Sequence, residues 1–137
     1  MVDRDLVLRR AADIDQYLQQ LAEYGHIELD AYKADWKVQR VVERTLHLVI
    51  ETCMDLADHI VADRRLGVPE TAGATFDILA RAEVISPELG ATLARMVGFR
   101  NILVHDYTRL YPAIVLNVLR TNLVDVVRFR DAIIAAI

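Results

Sequence analysis

Residues 35–65 read DWKVQRVVERTLHLVIETCMDLADHIVADRR, and apolar side chains recur at every third or fourth position of this stretch. That spacing places them on one face of an α-helix, which has about 3.6 residues per turn. Asp30 or Asp35 can cap the start of this helix, and Gly67 and Pro69 end it after about Arg65. One long amphipathic helix is therefore expected here, with its apolar face formed by Val38, Val41, Val42, Thr45, Leu48, Val49, Thr52, Leu56 and Ile60.

The rest of the chain has the same helical spacing, and no segment alternates with period two between hairpin turns. Glycine and proline are rare, and the expected connections are short, which favours an all-α fold: an antiparallel helical bundle of four to five helices. Residues 1–137 are expected to form a single domain. The other expected helices are Asp3 to Glu23, Ala72 to Ala82, Pro87 to about His105, and a last helix that begins at Pro112.

The composition indicates an unusually apolar small protein. Hydrophobic residues make up 54% of the 137 residues, and the mean hydropathy is +0.22. No apolar run approaches the ~18 to 20 residues of a membrane span, so no membrane association is expected. The excess apolar surface instead predicts a subunit interface.

Charge and cysteine content bear on nucleic-acid binding and on the cellular compartment. The net charge of −4 argues against a broad basic surface for duplex nucleic acid, although it leaves room for a small local one. The start of the chain does not resemble a signal peptide, and Cys53 is the only cysteine, so a reduced, cytoplasmic protein is expected. No cation or glycine turn flanks Cys53, which favours a buried packing role over that of a nucleophile.

Residues 98–107, GFRNILVHDY, combine three chemically useful side chains in an otherwise apolar helix. Arg100 stays charged, His105 carries an imidazole of the kind that titrates near neutral pH, and Tyr107 carries a phenol. Together they are the parts with which a protein can bind and cleave a phosphodiester without a metal. This spacing arises by chance in roughly one chain in a hundred of this composition.

Helical geometry separates the members of this motif. At about 100° per residue Arg100 and Tyr107 share a face, whereas Asn101 and His105 lie about 100 to 140° around the helix. Arg100 and His105 can meet at one phosphate in three ways. The arginine side chain can extend around the helix, the helix can unwind before His105, or a second copy can approach across a two-fold axis. We favour the third arrangement, because it also uses the spare apolar surface and brings two histidines to one cleft as acid and base.

Each residue of the motif also has a purely structural interpretation. Arg100 could form an ion pair with Glu43 or Glu51, His105 could interact with the carbonyl end of its helix, and Tyr107 could be a core aromatic. These alternatives remain open on the residues alone.

A second group of polar residues lies on the long helix. His47, Glu51, Asp55 and His59 recur every four positions, a spacing that can align metal ligands. A polar strip that lines the bundle explains the row as well, so neither a metal nor a cofactor is expected. Glu51 and Asp55, together with Glu43 on the same helix, are better candidates for holding Arg100 or His105 in place.

Residues 100–107, RNILVHDY, match an Arg, four spacers, His, any residue, Tyr pattern, and an asparagine follows the arginine. On this motif the chain resembles the HEPN superfamily, specifically the HepT-like toxins (the DUF86 family) of the MntA–HepT toxin–antitoxin type. The segment from Arg40 to Ile60, followed by a proline-containing loop and a short helix, is similar to that family as well. The resemblance covers nearly the whole chain and implies one HEPN-like helical domain, paired as a two-fold homodimer.

The resemblance implies a metal-independent endoribonuclease that cleaves RNA at the dimer cleft. Arg100 would hold the phosphate and stabilise the charge that grows on its oxygens, and His105 would move the proton. Asn101 would orient the histidine or contact the phosphate. Single-stranded or looped RNA is the expected substrate, because the 2′-hydroxyl must come into line with the scissile phosphate.

The resemblance also implies a partner, a minimal MntA-like nucleotidyltransferase antitoxin that transfers AMP from ATP onto Tyr107. Each AMP would add an anionic phosphate and a bulky base beside the pair that must receive RNA, so repulsion and occlusion both oppose cleavage. The alternative function is a non-catalytic helical module whose task is to bind the nucleotidyltransferase.

Overall fold

The structure, a computed structural model, describes residues 2–105, 108 and 110–137. All regular secondary structure in this part of the chain is helical, which confirms the all-α prediction. The described residues form seven helices: α1 Arg4–Ala22, α2 Leu29–Ala34, α3 Trp36–Arg64, α4 Ala74–Arg81, α5 Pro87–His105, α6 Pro112–Thr121 and α7 Leu123–Ala136.

Helix α3 lies at the centre of the bundle and packs against α1, α2, α4, α5 and α7. One face of α3 is buried, and at about 100° per residue the buried positions span one side of the helix. Burial of these side chains supplies the main favourable term in folding. They are Val42, Leu46, Val49, Ile50, Cys53, Leu56, Ala57, Ile60 and Val61. Val41, which the spacing assigns to this face, is instead 45% exposed.

Both ends of α3 lie where the sequence predicts them, and of the two candidate caps Asp35 begins the helix. Asp35 is the N-cap, and its carboxylate accepts from the backbone N–H groups of Lys37 and Val38 at 3.1 and 3.2 Å. At the other end Arg65 adopts a left-handed conformation, with φ of 53°. The N–H of Leu66 then donates to the carbonyl of Val61, which closes the last turn.

The number of helices differs from the four to five that periodicity predicts. Asp35 is extended, with φ of −122° and ψ of 94°, so the residues before it form the separate short helix α2. The predicted last helix also divides at Asn122, whose side-chain amide donates to Asp125 at 3.2 Å. A short polar side chain that bonds to a nearby residue favours a helix end over a helix interior. The neighbours change at this break, since α6 packs against α2 whereas α7 packs against α1, α3 and α5.

Helix α5 positions the candidate motif, and it begins as predicted at Ser86 and Pro87. The hydroxyl of Ser86 accepts from the N–H of Leu89 at 3.1 Å. Gly90 then allows α5 to approach α4 closely, because a Cβ atom at this position would meet the carbonyl oxygen of Phe76 at 3.2 Å. The α4–α5 pair packs against α3 and so fixes the far end of α5 relative to the central helix.

Cys53 lies on the buried face of α3 with 2% of its surface exposed. Burial raises the pKa of its thiol to about 12, so the thiolate is scarce at neutral pH. This confirms its role as a packing residue. In the part of the chain that the structure describes, no helix has both the length and the apolar character needed to cross a bilayer.

Candidate active site

Arg100 lies near the end of α5, and its side chain extends to α3, with 20% of its surface exposed. One terminal nitrogen, Nη2, donates to the carboxylate of Glu51. The other, Nη1, donates to Oδ1 of Asn101 at 3.0 Å. Each Nη atom keeps one further N–H, and together these two can meet two oxygens of a phosphate.

The same oxygen of Glu51, Oε1, is also bound by a chain of hydrogen bonds along α3. Nη1 of Arg44 lies 3.0 Å from Nδ1 of His47, and Nε2 of His47 lies 3.2 Å from Oε1 of Glu51. A guanidinium can only donate, so Nδ1 accepts and the proton of the neutral ring is on Nε2, which donates to Glu51. The chain therefore runs from Arg44 through His47 to Glu51 and meets Arg100 there.

The charge of Glu51 follows from these partners. Desolvation by burial raises the pKa of its carboxyl, but the hydrogen bonds from Arg100 and His47 outweigh that effect and leave the pKa below its ordinary value. Glu51 is thus an anion at neutral pH. The open choice between Glu43 and Glu51 as partner of Arg100 is settled in favour of Glu51.

His105 and Asn101 are both exposed, and α5 remains helical up to His105. The helix therefore does not loosen between Arg100 and His105. The two side chains lie about 140° apart around the axis. Arg100 is directed at α3, whereas the side chain of His105 forms no hydrogen bond or ion pair with residues 2–105, 108 or 110–137. The structure brings Arg100 and Asn101 together and leaves His105 on a separate, open face. Tyr107 lies outside the described residues.

The four-residue row on α3 divides into two separate sets of partners. His47 and Glu51 belong to the chain that holds Arg100. Asp55 accepts from Nε of Arg10 at 3.0 Å and lies 3.9 Å from His59. Within the described ranges, no three histidine, cysteine or carboxylate side chains are grouped as metal ligands would be. Of the three acids suggested as supports, Glu51 holds Arg100 and Asp55 binds Arg10.

A surface cavity of about 270 Å³ lies beside this chain of hydrogen bonds, between α3 and the end of α5. Its lining includes Glu43, whose side chain is 18% exposed and lies 3.7 Å from Nη1 of Arg40. Desolvation by burial raises the pKa of Glu43, and the charge of Arg40 offsets this only in part. The whole lining is Arg40, Glu43, Arg44, His47, Leu103 and Val104.

The raised pKa of Glu43 predicts how its substitution will affect stability. The folded protein binds the proton more tightly than the unfolded chain, so this carboxyl contributes stability at low pH that is lost as pH rises through its folded pKa. We therefore expect Glu43→Gln to raise the free energy of unfolding at neutral pH. The gain should disappear near pH ~3, more than a unit below the ordinary glutamate pKa, where the carboxyl is protonated in both states. Urea unfolding at the two pH values measures the difference, and an equal or larger gain at the lower pH would contradict it.

Sequence reasoning identified Glu51 and Arg100 but missed the role of Arg44 and His47. Both precede Glu51 on one side of α3, at i−7 and i−4, a spacing that places them on the same face. That spacing is the signal from which the chain of hydrogen bonds could have been predicted.

Comparison with known proteins agrees with the motif and the fold. A family model described as Ribonuclease HepT-like matches residues 14–133. The mRNA nuclease HepT of Shewanella oneidensis is 34% identical over 130 residues, which cover 94% of this chain and 96% of that protein. The tRNA nuclease HepT of Aphanizomenon flos-aquae is 33% identical over 99 residues, covering 72% and 67%.

A solved structure supports the same assignment. It is the tri-AMPylated Shewanella oneidensis HEPN toxin in complex with the MNT antitoxin, with a TM-score of 0.88 and 32% identity over 98% of this chain and 99% of that one. The resemblance inferred from residues 100–107 is confirmed. This chain belongs to the HepT-like ribonuclease family.

Proposed function

We propose that this chain is the toxin of a toxin–antitoxin pair, an endoribonuclease that cleaves single-stranded RNA without a metal and uses Arg100 and His105 as its catalytic pair. The observation that carries the proposal is the fixed guanidinium of Arg100. Glu51 accepts from one N–H of Nη2, and Asn101 accepts from one N–H of Nη1. These bonds orient the remaining N–H groups before any substrate arrives. Orientation in advance is what makes such donors effective toward developing charge.

In the proposed reaction His105 takes the proton from a ribose 2′-hydroxyl. The 2′-oxygen attacks the phosphorus, the bond to the 5′-oxygen breaks, and a second proton donor completes the 5′-hydroxyl. The products are a 2′,3′-cyclic phosphate and a free 5′-hydroxyl. Arg100 neutralises the charge that accumulates on the non-bridging oxygens during the attack.

In a two-fold homodimer the second proton donor is the histidine of the other copy, since the two histidines meet in one cleft as acid and base. His105 faces away from its own Arg100, so the arginine of one subunit and the histidine of the other can share a cleft more readily than the pair within one chain. Exposed apolar residues surround this end of the molecule and fit such an interface. They are Ile102, Val104, Tyr111 and Ile114, which are between 39% and 63% exposed.

The proposed regulator is an MntA-like nucleotidyltransferase antitoxin, which transfers AMP to Tyr107. The modified side chain would lie two residues beyond His105 and place a phosphate where RNA must bind. The relative from Shewanella oneidensis, tri-AMPylated and bound to an MNT antitoxin, supports this part of the proposal. We place the protein in the cytoplasm as one domain over residues 1–137.

The test is cleavage by the chain purified without its antitoxin. We expect it to cut a labelled single-stranded RNA in the presence of excess EDTA, and to leave cyclic phosphate ends. The same sequence as DNA should remain intact because it lacks the 2′-hydroxyl. Cleavage of that DNA, or no cleavage of any RNA, would contradict the nuclease, and loss of cleavage with EDTA would contradict its metal independence.

A further inference from the structure

One face of α3 carries a concentrated positive charge although the chain as a whole is acidic. Lys37, Arg40, Arg44 and His47 follow one another at intervals of three or four residues, so they lie within about 80° of the helix circumference. We call these four residues the basic strip. The three cations are exposed, and His47 is partly buried beside Glu51.

The basic strip leads directly to the candidate active site. Its last member, His47, donates to Glu51, which in turn binds Arg100. From Lys37 to Glu51 the helix rises about 21 Å, a distance that roughly three to six nucleotides of a single strand can span. The strip and the catalytic arginine therefore form one continuous surface.

Trp36 stands at the other end of the strip. Its side chain is 64% exposed, an unusual position for the only tryptophan of the chain. Nζ of Lys37 lies 5.8 Å from the centre of the indole ring, which places a cation and an aromatic face together at this end. Cations that contact phosphates, combined with an exposed aromatic ring on which a base can stack, are typical of surfaces that bind single-stranded nucleic acid.

The charge on this face reverses beyond the active site. The next residues on the same side of α3 are Asp55 and Asp58. Asp58 accepts from the hydroxyl of Thr75 at 3.1 Å, and Asp55 binds Arg10, so both carboxylates are fixed in place. Because Arg10 balances the charge of Asp55, this half of the helix offers a phosphate backbone less attraction than the basic strip does.

We infer that the basic strip and Trp36 form an RNA-binding track that holds the nucleotides on one side of the scissile phosphate. This inference rests on the proposed ribonuclease activity and extends it to the recognition of substrate. Lys37, Arg40 and Arg44 contact successive phosphates, and Trp36 stacks on a base. The track accepts single strands of any sequence, because neither phosphate contacts nor stacking reads base edges.

The chain offers a closely matched control for this idea. Arg40 is 60% exposed and forms an ion pair with Glu43, three residues away, at 3.7 Å. Arg128 on α7 is 67% exposed and forms an ion pair with Asp125, three residues away, at 3.5 Å. The two arginines differ mainly in location, so a difference between Arg40→Ala and Arg128→Ala isolates the contribution of the strip.

The experiment measures binding of a fluorescein-labelled oligouridylate with 2′-O-methyl groups, which the protein cannot cleave, over a series of salt concentrations. Lys37→Ala and Arg40→Ala should each weaken binding and reduce the slope of log Kd against log salt by about 0.7. Trp36→Ala should weaken binding about fivefold or more, whereas Trp36→Phe should retain most of the affinity. Glu43→Gln should tighten binding, and Arg128→Ala should leave both affinity and slope unchanged.

Cleavage assays separate failure of this inference from failure of the proposed function. The strip variants should raise KM for a long RNA while cutting a dinucleotide, too short to reach the strip, at the wild-type rate. If the strip variants bind the oligouridylate with wild-type affinity and salt slope while the protein still cleaves RNA, the track is wrong and the nuclease stands. The track is also wrong if the strip variants bind RNA normally but no longer bind the nucleotidyltransferase, since the strip would then be a surface for that partner. A wild type that binds the oligouridylate but cuts no RNA would overturn the nuclease and retain the track.

Discussion

Arg100→Ala and His105→Ala are each expected to reduce RNA cleavage by at least about 100-fold, and to abolish growth arrest when expressed in a host cell. A positioned donor to the developing charge and a general base each contribute roughly that much or more. Both variants should fold, because His105 is exposed and Glu51 keeps His47 as a partner after Arg100 is removed. The measurements are initial rates on a labelled RNA, thermal unfolding of each variant, and growth after induction.

Arg95→Ala is the matched control, since Arg95 is an exposed arginine on the same helix. It should cleave as the wild type does. Glu51→Gln retains the shape of its side chain but loses the charge that fixes Arg100, so it should lower kcat about tenfold and change KM little. Equal growth arrest from wild type, Arg100→Ala and His105→Ala would refute the assignment of the catalytic pair.

Tyr107→Phe is expected to eliminate neutralisation by the nucleotidyltransferase while it preserves cleavage. Co-expressed wild type should gain the mass of at least one adenylate group and lose ribonuclease activity, because a bulky anion then occupies the entrance to the cleft. The phenylalanine variant lacks the acceptor hydroxyl, so its mass should stay unchanged and its expression should arrest growth even beside the antitoxin. Intact-mass spectrometry and the cleavage rate of the recovered toxin measure both effects.

Tyr111 offers the control for this substitution. It is 63% exposed and lies four residues from Tyr107, so it is an accessible phenol in the same neighbourhood. Tyr111→Phe should be modified and silenced like the wild type. The proposed acceptor would be wrong if Tyr107→Phe gained the same mass as the wild type or if only Tyr111→Phe failed to gain it.

The sequence predicts much of this fold because the relevant signals are local. Apolar spacing locates α3, and the side chains of Asp35 and Ser86 begin their helices as capping residues should. The break at Asn122 is harder to predict, since a single polar residue in an apolar helix gives little warning. It depends on α6 and α7 packing against different neighbours.

The site shows the same division between local and long-range information. The Arg100 to Tyr107 spacing marks the motif without any structure, but it leaves the partner of Arg100 open between Glu43 and Glu51. That choice depends on how far α5 lies along α3, which tertiary packing determines. The hydrogen bond between Arg100 and Glu51 joins residues 49 positions apart, and nothing in either segment alone specifies it.

The two sides of helix α3 have different surroundings. Its buried side, from Val42 to Val61, contacts most of the bundle, whereas the side from Lys37 to Glu51 faces solvent and the active site. Substitutions at Lys37 or Arg40, on the solvent side, change no core contact, so the RNA affinity that we infer for this face can change without loss of stability. The strength of RNA binding can therefore evolve along one helix face while the scaffold and the Arg100–Glu51 pair stay fixed.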